Sequence, residues 1–142
     1  MKSYIANEVG RTFILRMERE DLLKEKILEL CSQNNVSNAV VLSGIATFDI
    51  VNIQMTNTLG YPVEYDVIHL HEPLELASLD GTIVNGEPHI HGVIGNAHRT
   101  WSGHILDGCR ILYLGEIVIQ ELLGCNLVRK PDENNVFLIS NR

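Results

Sequence analysis

Residues 86–107 read GEPHIHGVIGNAHRTWSGHILD and hold four of the six histidines in the chain. Two apolar runs flank a loop-like segment in this stretch, which predicts an antiparallel hairpin. If Asn96–Arg99 form a four-residue loop, Gly95 pairs with Thr100 in the flanking strands. The register of every other pair in the hairpin follows from this one.

The predicted register brings three histidines together. Counting back along both strands places His91 directly opposite His104, and such opposed side chains have Cβ atoms about 5 Å apart. His89 lies two residues before His91, so both imidazoles point to one face of the strand. Three converging imidazoles are the usual start of a transition-metal site, with zinc the default ion. Spacing alone also allows ordinary exposed or hydrogen-bonded histidines, and both interpretations stay open.

The length and charge of the chain narrow its possible functions. Its 142 residues predict a single domain, 1–142, with a substantial core. The net charge is −7, and the 11 lysines and arginines are scattered along the chain. Both features argue against binding to the phosphate backbone of a nucleic acid. No glycine-rich phosphate-binding motif occurs, which argues against nucleotide chemistry.

The apolar runs and the cysteines bear on the cellular compartment of the protein. Every apolar run is shorter than the roughly 20 residues that span a bilayer, and the first residues lack the apolar core of a secretory signal. We therefore expect a cytoplasmic protein with no membrane partner. Cys31, Cys109 and Cys125 show no CxxC spacing. We predict buried free thiols rather than disulfides or a thiolate zinc site.

Hydrophobic periodicity predicts many strands around one helix. The segment Glu18–Asn35 has the apolar spacing of an amphipathic helix. We expect a kink or bulge near Gly44, a local bend at Asp80–Gly81 and a tight turn at Asn85–Gly86. The pattern predicts an α+β domain with an antiparallel or mixed sheet and one main helix. Besides the hairpin, the predicted strands are Tyr4–Glu8, Thr12–Met17, Ala39–Leu42, Phe48–Thr56, Tyr61–Leu70, Leu74–Val84, Cys109–Leu122 and Val136–Ile139.

Five segments in a fixed order carry a family resemblance: RTFILRMEREDLL, VVLSGIATF, PLELASLDGTIVNGEPHIHGVIG, SGHILDGCRI and EIVI. Together they resemble the plant and prokaryote conserved (PPC) domain over nearly the whole chain, in a stand-alone prokaryotic form. The resemblance implies an α/β fold with an antiparallel sheet, a homotrimer and a label of DNA-binding protein. It also implies, as in several prokaryotic members, a zinc ion held by histidines that match His89, His91 and His104.

Two features of plant members differ here. Plant members bind DNA through an attached AT-hook, a short basic segment that enters the minor groove. This sequence has no AT-hook. The plant motif Gly-Arg-Phe-Glu-Ile-Leu, associated with partner contacts, is replaced by HEPLEL at His71–Leu76. The sequence therefore gives little support to direct DNA binding or to plant-type partner recognition.

Three functions remain open from the sequence. The first is a homotrimeric binding or regulatory module with a three-histidine zinc site, whose partner is a small molecule at the open metal position, a protein or DNA. The second is a metal-dependent enzyme, a hydrolase or lyase acting on a small molecule, because a zinc ion with an open position can activate water. The third is a structural trimer in which the metal only stabilises the hairpin.

The remaining polar residues give weaker signals. A zinc enzyme needs a carboxylate base, and Glu87 is the only catalytic candidate that shares the strand face of His89. We nevertheless expect an exposed carboxylate there and assign no catalytic residue. A second histidine pair, His69 and His71, could extend the site, but we expect surface or interface histidines. Four further residues complete these expectations: Glu75 and Asp107 as alternative bases, His98 as an exposed loop residue, and Trp101 as a packing or interface residue.

Overall fold

Eight strands and one helix make up the protein in the computed structural model, which describes residues 1–142. The main sheet has six antiparallel strands in the order β1-β6-β2-β3-β4-β5, and β7 and β8 form a separate two-stranded sheet. The predicted antiparallel sheet and single helix are confirmed, but the domain is mostly β rather than a balanced α+β fold. The elements are β1 (Glu8–Glu18), α1 (Leu23–Asn34), β2 (Asn38–Thr56), β3 (Tyr65–Val84), β4 (Glu87–Gly95), β5 (Thr100–Ile105), β6 (Arg110–Leu123), β7 (Leu127–Pro131) and β8 (Phe137–Asn141).

The long strand β2 closes part of the sheet into a small barrel. The first part of β2 pairs with β6, whereas Ile53 and Gln54 near its end pair with Ile105 and His104 of β5. The other edge of β2 pairs with β3, which pairs with β4, and β4 pairs with β5. Strands β2 to β5 therefore surround a common core. This closure holds β5 on both edges, which fixes the position of His104.

Alternating burial along β4 fixes the direction of its histidines. Pro88, Ile90, Gly92 and Ile94 are buried, and the residues between them are exposed. A shift of one residue would expose the isoleucines, so the core specifies the register. The histidines of β4 therefore point outward from the barrel wall.

Two local features connect β3 to β4. Asn85 and Gly86 have φ values of 55° and 79°, which form the tight hairpin turn expected of this dipeptide. Gly81 has a φ of 153°, at the predicted bend. The bulge expected near Gly44 is also present, because the register of β2 against β6 shifts between Val41 and Ser43.

Several predicted element boundaries are wrong. The strand predicted over Tyr4–Glu8 is wrong, because β1 begins only at Glu8 and continues through a bulge between Val9 and Thr12 into the second predicted strand. Four predicted strands merge into β2 and β3, because bulges absorb the residues that interrupt the pattern. Pro73, for example, lies where the register of β3 against β2 shifts. The helix begins at Leu23 rather than Glu18, since Glu20 has a φ of 74° that ends β1 in a turn.

The structure also bears on two further expectations, the free thiols and the absence of a membrane-spanning helix. All three cysteines are free, with Cys31 and Cys109 buried and Cys125 partly exposed. Burial raises the pKa of the Cys31 and Cys109 thiols to about 11, so both are neutral at pH 7. The helix α1 is too short and too polar to cross a bilayer.

Candidate metal centre

Three histidines converge on the outer surface of the barrel wall. The hairpin pairs Gly95 with Thr100 and His91 with His104, which confirms the predicted register. One ligand nitrogen from each of His89, His91 and His104 lies within 4.8 Å of the others. The Nε2 atoms of His89 and His91 are 3.3 Å apart. The three side chains could therefore hold a metal ion.

The geometry of the cluster fits a zinc ion. Two ligands of a tetrahedral zinc ion, each at about 2.05 Å, stand about 3.3 Å apart. The two Nε2 atoms of His89 and His91 have this separation. The Nδ1 atom of His104 is buried and has no hydrogen-bond partner. Buried polar atoms are rarely left unpaired, so the cluster has unused capacity to bind a ligand.

Electrostatics keep two of these imidazoles, those of His89 and His104, in the form that binds metals. Burial, followed by the nearby His89 and His91 rings, lowers the pKa of His104 to about 4. Loss of solvent around its ring, followed by the positive charge of Arg129, lowers the pKa of His89. Both rings are therefore neutral at pH 7, and neutral imidazole is the metal-binding form.

An open groove of about 650 Å³ runs along the surface that carries the histidines. Its walls come from β2, β3, β4 and β5, and its lining combines polar groups, one of them a carboxylate, with a few apolar ones. The groove leaves room for a small molecule beside the histidines. Its lining residues are Gln54, Met55, Thr56, Tyr65, Asp80, His89, His91, Gly92, Val93, Ser102, Gly103 and His104.

Asp80 is the carboxylate of this groove, and it is not among the candidates predicted from the sequence. It faces His91 across the β3–β4 ladder. Its Oδ2 accepts a hydrogen bond of 2.8 Å from the Ser78 hydroxyl. The signal was present in the sequence, because counting back from the Asn85–Gly86 turn pairs Asp80 with His91 in the same way that the next loop pairs His91 with His104.

The three carboxylates considered from the sequence lie elsewhere. Glu87 lines a separate depression beside Cys31 of the helix. Glu75 faces Gly95 at the far end of the β3–β4 ladder. Asp107 forms an ion pair with Lys24, with 2.7 Å between Nζ and Oδ1. None of the three lines the groove in front of the histidines.

The other histidines and the tryptophan stand apart from the cluster. His69 Nδ1 lies 2.8 Å from the side-chain oxygen of Asn52, and His71 faces Ile50 on β2. His98 is exposed in the hairpin loop. Trp101 is partly buried against the hydrophobic core, in agreement with the predicted packing role.

Arg129 of β7 lies next to the histidine cluster. Its Nη2 donates a hydrogen bond of 2.9 Å to the Thr82 hydroxyl, and Thr82 faces His89 in the β3–β4 ladder. Its Nε is buried without a partner. Burial lowers the pKa of this guanidinium, and no carboxylate opposes the effect. The cations Arg129 and Lys24 both act on His89 and His104.

Several solved structures are similar to this chain. A metal-containing protein from Archaeoglobus fulgidus is 27% identical, with a TM-score of 0.84 over 97% of this chain and 98% of that chain. A plant- and prokaryote-conserved (PPC) protein from Pyrococcus horikoshii is 30% identical, with a TM-score of 0.78 over 95% and 94% of the two chains. A candidate DNA-binding protein from Bacteroides thetaiotaomicron, at 17% identity and a TM-score of 0.80 over 95% of each chain, shows the fold alone.

Sequence comparisons identify the family. The bifunctional protein GlmU from Synechococcus is 26% identical over 129 residues, which are 90% of this chain but 20% of that protein. This chain thus spans about a fifth of the length of the curated relatives that it matches. The model of the Plants and Prokaryotes Conserved (PCC) domain, also written PPC, matches residues 4–123. The chain therefore belongs to the Plants and Prokaryotes Conserved domain family.

Proposed function

We propose that this chain is a binding or regulatory module in which His89, His91 and His104 hold a zinc ion and leave one position open for a small-molecule ligand. The observation that carries the proposal is the convergence of three ligand nitrogens within 4.8 Å of one another. The adjoining groove of about 650 Å³ provides space for the ligand. A bound zinc ion would supply Lewis acidity at this position.

One relative and the donor chemistry support this assignment. The Archaeoglobus protein, which matches this chain over nearly its whole length, is described as containing a metal. Neutral imidazoles suit zinc, copper, nickel and iron, and a tetrahedral zinc ion fits the Nε2–Nε2 separation of His89 and His91. Three protein ligands are also typical of zinc sites that bind an exchangeable group, whereas structural sites are closed by four.

The proposed assembly is a homotrimer. Family resemblance implies it, and the exposed apolar side chains of the sheet support an assembly of copies. Large exposed apolar areas mark association surfaces in soluble proteins. Such side chains on the main sheet include Ile14, Leu42, Ile45, Val67 and Tyr113.

Elemental analysis of untagged protein, purified without added metal, tests the zinc site. We expect about one zinc per chain, since each chain carries a complete set of three histidines. Light scattering on the same sample should give a mass of about three chains, or roughly 48 kDa from a chain of 15.9 kDa. Less than about one tenth of an equivalent of any transition metal, with no uptake on titration, would overturn the zinc site.

DNA as the partner has less support. Six of the 11 lysines and arginines are engaged in ion pairs with carboxylates. The net charge of −7 further repels a phosphate backbone. We therefore expect no measurable duplex binding at about 50 mM salt. Binding that weakens steeply as salt is added would contradict this expectation and favour the DNA-binding role.

A metal-dependent hydrolase or lyase is the second candidate function. Asp80 favours it, because this carboxylate faces His91 and lines the same groove. A carboxylate beside an activated water is the usual base of such enzymes. In this case Asp80→Asn should abolish turnover while the metal content stays unchanged. A broad panel of small esters, amides and hydroxy acids that gives no turnover with fully loaded protein would count against the enzyme.

A further inference from the structure

The C-terminal hairpin contributes a cation to the histidine face. Arg129 lies on β7, outside residues 4–123 that define the family match. Its Nη2 donates a hydrogen bond of 2.9 Å to Thr82. Thr82 stands directly opposite His89, and opposed side chains have Cβ atoms about 5 Å apart. The guanidinium is therefore adjacent to the cluster although 40 residues separate Arg129 from His89 in the sequence.

This guanidinium has no anionic partner within the chain. Arg129 forms no ion pair, whereas its hydrogen bond to Thr82 joins it to a neutral hydroxyl. Its Nε is buried and unpaired. Asp80, the carboxylate nearest along β3, accepts a hydrogen bond from Ser78 instead. A partly buried cation without a counter-charge is unfavourable, so the arrangement calls for an anion from outside the chain.

The charge balance of the metal site also calls for an anion from outside the chain. Three neutral imidazoles leave the two positive charges of a divalent ion uncompensated, and Arg129 adds a third. Asp80, which faces His91 in the same groove, offsets only one of them. Lys24 also acts on the cluster, but Asp107 neutralises it at 2.7 Å. A carboxylate or phosphate satisfies both demands, because it can bind a metal through one oxygen and accept hydrogen bonds from a guanidinium through others.

We propose that the small-molecule ligand of this site carries an oxyanion, a carboxylate or phosphate group, held jointly by the metal and Arg129. This inference rests on the proposed zinc site. Arg129 reaches the cluster from beside the groove, through its contact with Thr82, and neutral polar side chains of the groove lining, such as Gln54 and Ser102, remain to bind other parts of the ligand. The hydrogen bond from Arg129 to Thr82 joins the terminal hairpin to β3 beside the histidines.

Cobalt-loaded protein tests this inference, because cobalt(II) replaces zinc and its visible spectrum reports the groups bound to it. Cobalt uptake is measured first, and the loaded protein is then titrated with inorganic phosphate or with acetate at constant ionic strength. We expect a saturable spectral change with at least one anion. Response to acetate alone assigns a carboxylate ligand, and response to phosphate alone assigns a phosphate ligand.

Matched variants identify the role of Arg129. Arg129→Gln should bind cobalt normally but raise the dissociation constant of the anion at least about tenfold. Lys130→Gln is the control. Lys130 is exposed and lies on the opposite face of β7, and its substitution removes the same single positive charge. It should change anion affinity less than about twofold. Arg129→Lys keeps the charge without the planar guanidinium, and an intermediate affinity is expected from it.

Two results separate the possible failures. If the unmodified chain takes up no cobalt, the metal site and this inference are both wrong. If cobalt binds normally but neither anion changes the spectrum, or Arg129→Gln and Lys130→Gln bind the anion equally well, only the oxyanion role of Arg129 is wrong. If Arg129→Gln does not fold, the comparison of Arg129→Lys with the unmodified chain decides in the same way.

Discussion

His91→Ala should lower the metal content of the purified protein from about one equivalent to less than about one tenth. His91 is the central member of the cluster, since its Nε2 lies 3.3 Å from that of His89 and its backbone pairs with that of His104. Changes to groups that only orient a metal ligand already weaken binding 10–100-fold, so loss of a ligand should weaken it by more than about 100-fold. Elemental analysis and competition with a chelator measure the change.

The metal-free fold should tolerate this substitution. The side chain of His91 is exposed, so its removal should change the free energy of unfolding by less than about 0.5 kcal/mol. His69→Ala is the matched control, because this histidine is also exposed on a strand but contacts Asn52 instead of the cluster. The control should keep its metal. Equal metal content in the His91 and His69 variants would show that the three-histidine cluster is not the binding site.

The part of the site that the sequence predicts is the part that local turns control. A four-residue loop and alternating burial are enough to set His91 opposite His104. The same counting from the Asn85–Gly86 turn sets Asp80 opposite His91. Cross-strand distances in a hairpin depend only on the turn and the register, and both are encoded within about 25 residues.

Features that depend on distant segments could not be derived this way. Closure of the barrel requires β2 to pair with β5, and nothing within either strand specifies that contact. The predicted strands are too short, because bulges let β2 and β3 continue through Gly44 and Pro73. The packing of Arg129 against Thr82 joins segments 47 residues apart, and no short-range pattern marks it. These are tertiary contacts, which override local patterns.

The close approach of β3 to β4 depends on the absence of a side chain at Gly81. Gly81 pairs with Ile90 on β4. A Cβ atom at this position would stand 2.2 Å from the carbonyl oxygen of His89 and 2.8 Å from the Cα of Ile90. Both contacts are with backbone atoms, which cannot rotate away as a flexible side chain can. An added methyl group must therefore displace β4, and His89 would move with it.

Gly81→Ala should accordingly destabilise the metal-free protein by about 3 kcal/mol or more and also weaken metal binding. Gly60→Ala is the control, because nothing lies within 4 Å of the Cβ that it would add. Its free energy of unfolding should change by less than about 0.5 kcal/mol, with full metal retention. Denaturant unfolding measures the difference: the midpoints of the two variants are compared with that of the unmodified chain, provided that the dependence of the unfolding free energy on denaturant concentration is the same in all three. Equal midpoints would mean that β3 and β4 can separate without cost, and that their close approach does not hold His89 in the cluster.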